Sequence, residues 1–219
     1  MGKGKHKKFE ETKTFPNFFQ PTLEEVIKDI PQKGNWHKDV FKNDHPIVLE
    51  VGCGKAEYTT GLAEKTPGKN FIGIDIKGAR LWRGGKTMLE KGLQNVAFVR
   101  TRIEYIDHIF DTNEIDEIWI TFPDPQPKKE RNRLTHPRFL KMYRSFSKPG
   151  VIVHLKTDSQ ELHEYTKEVI DNLKLPLLKI SSDIYRDNLP GPLTEIQTHY
   201  EKLFSKKGKL ITYLQFRLP

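Results

Sequence analysis

Residues 47–56 read IVLEVGCGKA. Four apolar residues enclose one acid, and two glycines one residue apart follow directly. From Ala56 to Lys65 the apolar residues then recur three or four apart. A short apolar run that passes through Gly-x-Gly into a helix is the pattern of a buried strand handing over to its crossover. The unit repeats along the chain. Further apolar runs bounded by turn residues are FIGID (71–75), VAFVR (96–100), IDEIWITF (115–122), GVIVHLKTD (150–158), PLLKIS (176–181) and KLITYLQF (209–216). Between most of them lie helical patterns at Lys77–Lys91, His136–Phe146 and Ser159–Lys174.

Strand followed by helix, repeated, requires parallel strands joined by right-handed crossovers, with helices on both faces. The last section departs from that rhythm. NLPGP (188–192) leads to a short helix over Thr198–Lys206, which Gly208 stops, and no helix follows the last strand. That strand is free to pair antiparallel. The expectation is an α/β, Rossmann-like, seven-stranded sheet, mostly parallel with an antiparallel terminal strand. This is the pattern of the class I S-adenosylmethionine-dependent methyltransferases, whereas an NAD-binding half would continue with another parallel unit.

A chain of 219 residues holds one sizeable core. Its net charge of +8 points to a polyanionic partner, nucleic acid before an acidic membrane surface. Cys53 is the only cysteine, which excludes an internal disulfide framework and a Cys-based zinc site. The histidines show no ligand spacing, so no metal is expected. The start, MGKGKHKKFEETKTFP, is basic without an apolar stretch and does not read as a secretory signal. His6 stands where a myristoylation motif wants Ser or Thr. No apolar run approaches membrane-spanning length, so the expected location is the cytoplasm. Residues 1–20, with Lys3, Lys5, Lys7 and Lys8, read as a basic, flexible tail, and 21–219 as one domain.

The chemistry starts at the strand ends. Gly52 and Gly54 permit a tight turn and close backbone approach to a ligand. Glu50 precedes them, and Asp75, 21 residues beyond Gly54, stands where an acid would accept from ribose hydroxyls. Strand-end acids that merely cap turns are the alternative for both. The third glycine of a dinucleotide fingerprint is replaced by Glu57, which would repel a pyrophosphate. A cofactor bearing sulfonium and ammonium groups tolerates acids, which favours S-adenosylmethionine over NAD. After the third strand come Arg102 and Glu104; an adenine amino group needs an acceptor, which Arg102 cannot supply and Glu104 or a backbone carbonyl can.

Residues 121–133, TFPDPQPKKERNR, follow the fourth strand. Pro123, Pro125 and Pro127 restrict the backbone around Asp124, so a stiff loop aims its carboxylate. A proline-stiffened turn with an Asx cap is the structural alternative. Lys128, Lys129, Arg131 and Arg133 beyond it suit RNA phosphates, and Arg80, Arg83, Lys86 and His136 could extend that surface. Asp158 closes the fifth strand or caps the following helix, and Thr198 could likewise be a cap.

Glu50-Val-Gly-Cys-Gly, Gly73-Ile-Asp75, Phe122-Pro-Asp124-Pro-Gln-Pro-Lys128-Lys129 and Thr198-His-Tyr-Glu201 together resemble the bacterial tRNA (guanine-N7-)-methyltransferase family (TrmB type), from about Phe15 onward. The resemblance implies methyl transfer from S-adenosylmethionine to a guanine N7 at position 46 in the variable loop of tRNA. It implies cofactor-site roles for Glu50, Asp75 and Asp124, with Asp124 also catalytic. Substrate contacts are implied for Lys128, Asp158, Thr198, His199, Tyr200 and Glu201. Two positions depart from the family pattern: Gln126 where tryptophan is usual, and Arg102 where Asp or Asn is usual. The rival readings are a methyltransferase for another RNA or a small molecule, and a non-catalytic RNA-binding protein on the same scaffold.

Overall fold

The computed structural model describes residues 3–219, with side chains from His6 onward. Among the described residues eight strands form one sheet: β1 (Phe18–Phe19), β2 (Ile47–Val51), β3 (Asn70–Ile74), β4 (Val96–Val99), β5 (Ile115–Thr121), β6 (Ser147–Thr157), β7 (Leu177–Ser181) and β8 (Thr212–Arg217). Their order is β1-β4-β3-β2-β5-β6-β8-β7. Every pairing is parallel except those of β8, which runs antiparallel to β6 and to β7. The mostly parallel α/β sheet with an antiparallel terminal strand is therefore as expected, with one strand more.

The principal helices are α1 (Lys3–Thr12), α2 (Leu23–Val26), α3 (Glu57–Lys65), α4 (Gly78–Glu90), α5 (Pro137–Phe146), α6 (Gln160–Asn172), α7 (Pro192–Glu195) and α8 (His199–Ser205). Successive strand residues point to opposite faces, and two cores result. Leu49, Ile118 and Leu155 pack on one face with Phe139 and Tyr143 of α5 and Leu162 of α6. Val48, Trp119 and Tyr213 pack on the other with Tyr58 of α3, Leu81 of α4 and Leu193 of α7. Helix α4 lies close against the turn after β2, because a Cβ added at Gly84 would stand 2.6 Å from the Cβ of Ala56.

From β2 the chain moves outward through β3 and β4, then returns to place β5 on the other side of β2. The carboxyl ends of β2 and β5 thus flank the point where strand order reverses. In open α/β sheets that is where the crevice opens, and both motifs singled out above lie there.

The extra strand corrects the reading of residues 1–20 as a separate tail. Phe15 and Phe18 are buried. Phe18 pairs with Phe98 across the β1–β4 ladder, with ring centroids 5.8 Å apart. Helix α1 docks on α4, where Glu11 accepts from Trp82 Nε1 at 2.9 Å and from Lys86 at 3.0 Å. Lys8 lies 4.4 Å over the Trp82 ring. The side chains of Lys3 and Lys5 lie outside the described residues. A two-residue strand offers no alternation to detect, and the lysines dominate the local composition. Phe18→Ala should therefore lower stability by about 3 kcal/mol in denaturant unfolding, as for a core phenylalanine; no change would return the segment to the status of a tail.

Candidate active site

A cavity of about 400 Å³ opens at the carboxyl ends of the central strands, with Gly52, Gly54, Asp75, Arg102, Glu104 and Asp124 among its walls. Its floor is the turn after β2. Gly52 (φ +73°) and Gly54 (φ +58°) adopt left-handed conformations, and Ala56 does so too (φ +58°) where α3 begins. The turn is stitched to the next strand. Gly54 N–H donates to Asp75 Oδ2 at 2.9 Å, and Lys77 N–H donates to Asp75 Oδ1 at 2.6 Å. Each oxygen keeps a second lone pair.

Glu50 sits beneath this cavity and is not part of its wall. Its Oε2 accepts from the Thr59 backbone N–H at 2.7 Å and from the Thr59 hydroxyl, while Oε1 accepts from the Thr121 hydroxyl at 2.5 Å. Burial pushes its carboxyl up to about 7, against these bonds. The residue read as a direct cofactor ligand therefore ties β2, α3 and β5 together. Arg102 and Glu104 both line the cavity, with Arg102 Nε 3.7 Å from the Glu104 carboxylate.

A second cavity of about 520 Å³ adjoins the first, lined by Asp158, Phe204 and Lys209. Phe122, Pro123, Asp124, Lys77, Arg80 and Tyr200 belong to both walls. Asp124 thus stands in the partition. Its loop is held in several ways. Phe122 (φ +46°) donates its N–H to the Lys156 carbonyl at 2.8 Å. Asp124 Oδ1 accepts from Gln126 N–H at 3.1 Å, so the Asx turn is present, and Asp124 is exposed nonetheless.

Arg133 corrects the phosphate-contact reading. It is 2 % exposed, donates from Nε to the Pro125 carbonyl at 3.0 Å, pairs with Glu161 of α6, and lies 4.4 Å over the Tyr165 ring. It anchors the Asp124 loop to α6. Lys128, Lys129 and Arg131 are exposed, and none takes part in an ion pair among the described residues. Of the wider basic surface, Arg83 pairs with Glu90 and Lys86 with Glu11, while His136 caps α5 by accepting from Arg138 N–H at 3.1 Å. Arg80 lies 5.5 Å over the Tyr200 ring, in both walls.

Glu201 likewise differs from its reading as a substrate contact. It is 0 % exposed and bonded to Lys156 Nζ at 2.8 Å and to the Tyr185 hydroxyl at 2.7 Å. With Thr198 it forms a reciprocal cap at the start of α8. Lys156 also donates to the Leu193 carbonyl at 2.6 Å. Desolvation lowers its pKa, partly offset by Glu201. The pair roots α8, leaving Thr198 and Tyr200 in the first cavity's wall. His199 N–H donates to Glu57 at 3.0 Å, which attaches the helix to α3. Ser159, not Asp158, caps α6, accepting from Leu162 N–H at 3.2 Å. Lys156, Phe204 and Lys209 were not anticipated; a lysine inside the apolar run GVIVHLKTD was the one available signal.

A family model described as "Putative methyltransferase" matches residues 44–214. A tRNA (guanine-N(7)-)-methyltransferase of Christiangramia forsetii is 52% identical over 220 residues, covering 99% of this chain and 98% of that protein. One of Bacteroides thetaiotaomicron is 47% identical over 221 residues, covering 100% of this chain and 87% of its own. Among solved structures, the 16S rRNA methyltransferase KamB superposes with a TM-score of 0.63 at 13% identity, covering 83% of this chain and 91% of its own. At that identity the likeness is one of fold.

The buried carboxyl of Glu50 has a consequence for pH. An acid whose folded pKa is raised holds its proton more tightly when folded, so its stabilising contribution is complete below 4.5 and is lost as pH rises through about 7. Glu50→Gln, which keeps the shape without the charge, should gain stability relative to the unsubstituted protein across that window in denaturant titrations. Parallel stability curves would show that Glu50 does not titrate there.

Proposed function

The chain belongs to the tRNA (guanine-N(7)-)-methyltransferase family, and we propose from that membership how its two cavities share the reaction. The protein transfers a methyl group from S-adenosylmethionine to N7 of a tRNA guanine, in our reading the one at position 46 of the variable loop. The donor takes the 400 Å³ cavity and the guanine the 520 Å³ one. The observation that carries this reading is Asp124 in the wall between them. We read the chain from Phe15 onward as one methyltransferase domain working in the cytoplasm, where tRNA is matured.

The first cavity suits the donor. A Cβ added at Gly54 would meet nothing within 4 Å, so the backbone is open to close approach. Asp75 has lone pairs left for ribose hydroxyls, and the wall offers acids (Glu57, Glu104) and bases (Lys55, Arg80) for a zwitterionic amino acid moiety. When bound, the donor would supply a methyl group on a cationic sulfur; the N7 lone pair would form the new C–N bond as the C–S bond breaks, its electron pair staying on sulfur in the neutral thioether product.

Guanine N7 is unprotonated near neutral pH, so no side chain has to remove a proton. The chain's contribution is alignment, which is worth up to about 7–11 kcal/mol in favourable systems. Positive charge develops on the purine, and the Asp124 carboxylate stabilises it. Arg133 fixes the Pro125 carbonyl and thereby positions that carboxylate. With Glu201 engaged inside, Asp124 and Asp158 are the acids left for the guanine edge. Lys128, Lys129 and Arg131 grip phosphates around the base, which must be drawn partly out of the tRNA fold to reach the cofactor.

Labelled methyl from S-adenosylmethionine should appear at N7 of guanosine 46 in unmodified tRNA. Asp124→Ala should cost turnover about 100-fold with little change in donor affinity. Label on any other atom would overturn the assignment. Replacing Lys128 and Lys129 together should flatten the slope of log Kd for tRNA against log salt by about 1.5. Arg133→Met should lower turnover and leave that slope alone; a flatter slope would return Arg133 to the RNA surface.

A further inference from the structure

Lys209 stands in the second cavity, just before β8. Its Nζ lies 2.7 Å from Asp158 Oδ2 and 4.6 Å over the Phe204 ring. Its backbone N–H donates to the Phe204 carbonyl at 3.1 Å, closing the turn that ends α8. The Asp158 side chain is 13% exposed, while that of Lys209 is 49% exposed. A half-exposed ion pair adds little to stability. As a recognition element the same pair has a definite meaning, because it sets a double acceptor beside a donor.

Guanine presents the complementary edge: N1–H and N2–H side by side, with the O6 acceptor next to them. Adenine presents an acceptor at N1 and a donor at N6, so a carboxylate would meet a lone pair and an ammonium would meet N–H groups. We propose, resting on the reading that the guanine enters this cavity, that Asp158 and Lys209 together read its identity. Asp158 accepts from N1–H and N2–H, and Lys209 donates to O6. The base is then held along its Watson–Crick edge, which leaves the N7 lone pair, beside O6, uncommitted and turned to the partition at Asp124. Phe204, under the Lys209 ammonium, keeps that side chain at the cavity wall.

The test uses tRNA assembled with either guanosine or 2-aminopurine riboside at the target position. The latter keeps N7 and the 2-amino group but lacks O6 and N1–H. Lys209→Met should lower kcat/KM for the guanosine tRNA about 10-fold to 100-fold and barely alter the value for the 2-aminopurine tRNA. The same contrast should appear in tRNA Kd, and Lys209→Arg should restore most of the loss. Equal losses on both substrates, with a flatter salt slope, would make Lys209 a phosphate contact and overturn the proposal. No loss on either substrate would overturn it too. Failure of the unsubstituted protein to methylate guanosine at N7 would remove the functional reading itself; equal losses in a protein that does so remove this inference alone.

Discussion

The site depends on one buried carboxylate. Glu50 lies next to the end of β2 where the strand order reverses, and its two oxygens take hydrogen bonds from the first turn of α3 and from the end of β5. The β2–β5 ladder brings the two strand ends side by side, and the Glu50 bridge ties the glycine turn, the start of α3 and the proline loop together beyond it. Their separation is thus fixed by hydrogen bonds inside the core as well as by the strand ladder. An acid in this position is unfavourable by burial alone, which is why its proton is held so far above the usual carboxylate range. The chain accepts that cost where two half-sites have to be kept in register.

Two buried cations do for the rim what Glu50 does for the floor. Arg133 draws the backbone beside Asp124 onto α6. Lys156 draws α8 onto β6 through Glu201. Removing either Lys156 or Glu201 leaves an unpaired charge in the interior, as does removing Glu161, whose partner Arg133 is the buried member of its pair. Exposed cations such as Lys128, Lys129 and Arg131 and cations within the fold are therefore distinct populations in this basic chain, and net charge alone overstates the electrostatic footprint.

Much of this was legible beforehand. Seven apolar runs became seven strands: those of the parallel part are enclosed on both faces and repeat visibly, and β7, exposed at the sheet edge, was marked by its apolar composition alone. The Gly-x-Gly turn and the proline-bounded acid were readable because their backbone demands restrict residue type. Strand β1 escaped, having two residues and no period. The roles of Arg133 and Glu201 escaped for another reason: a charged residue's position in sequence does not reveal whether it faces water or protein. Lys156 meets Glu201 across 45 residues, and Lys209 meets Asp158 across 51. No local pattern records such pairings.

Asp124 belongs to both compartments, and this has an implication for how such a protein can change. On the proposed assignment of the two cavities, a shared wall has two sides, and reshaping it for a different acceptor also reshapes the chamber of the methyl source. That assignment makes acceptor choice and donor geometry mechanically a single trait. Variation that respects both is confined to the far ends of the two chambers, where one can be remodelled without disturbing the other.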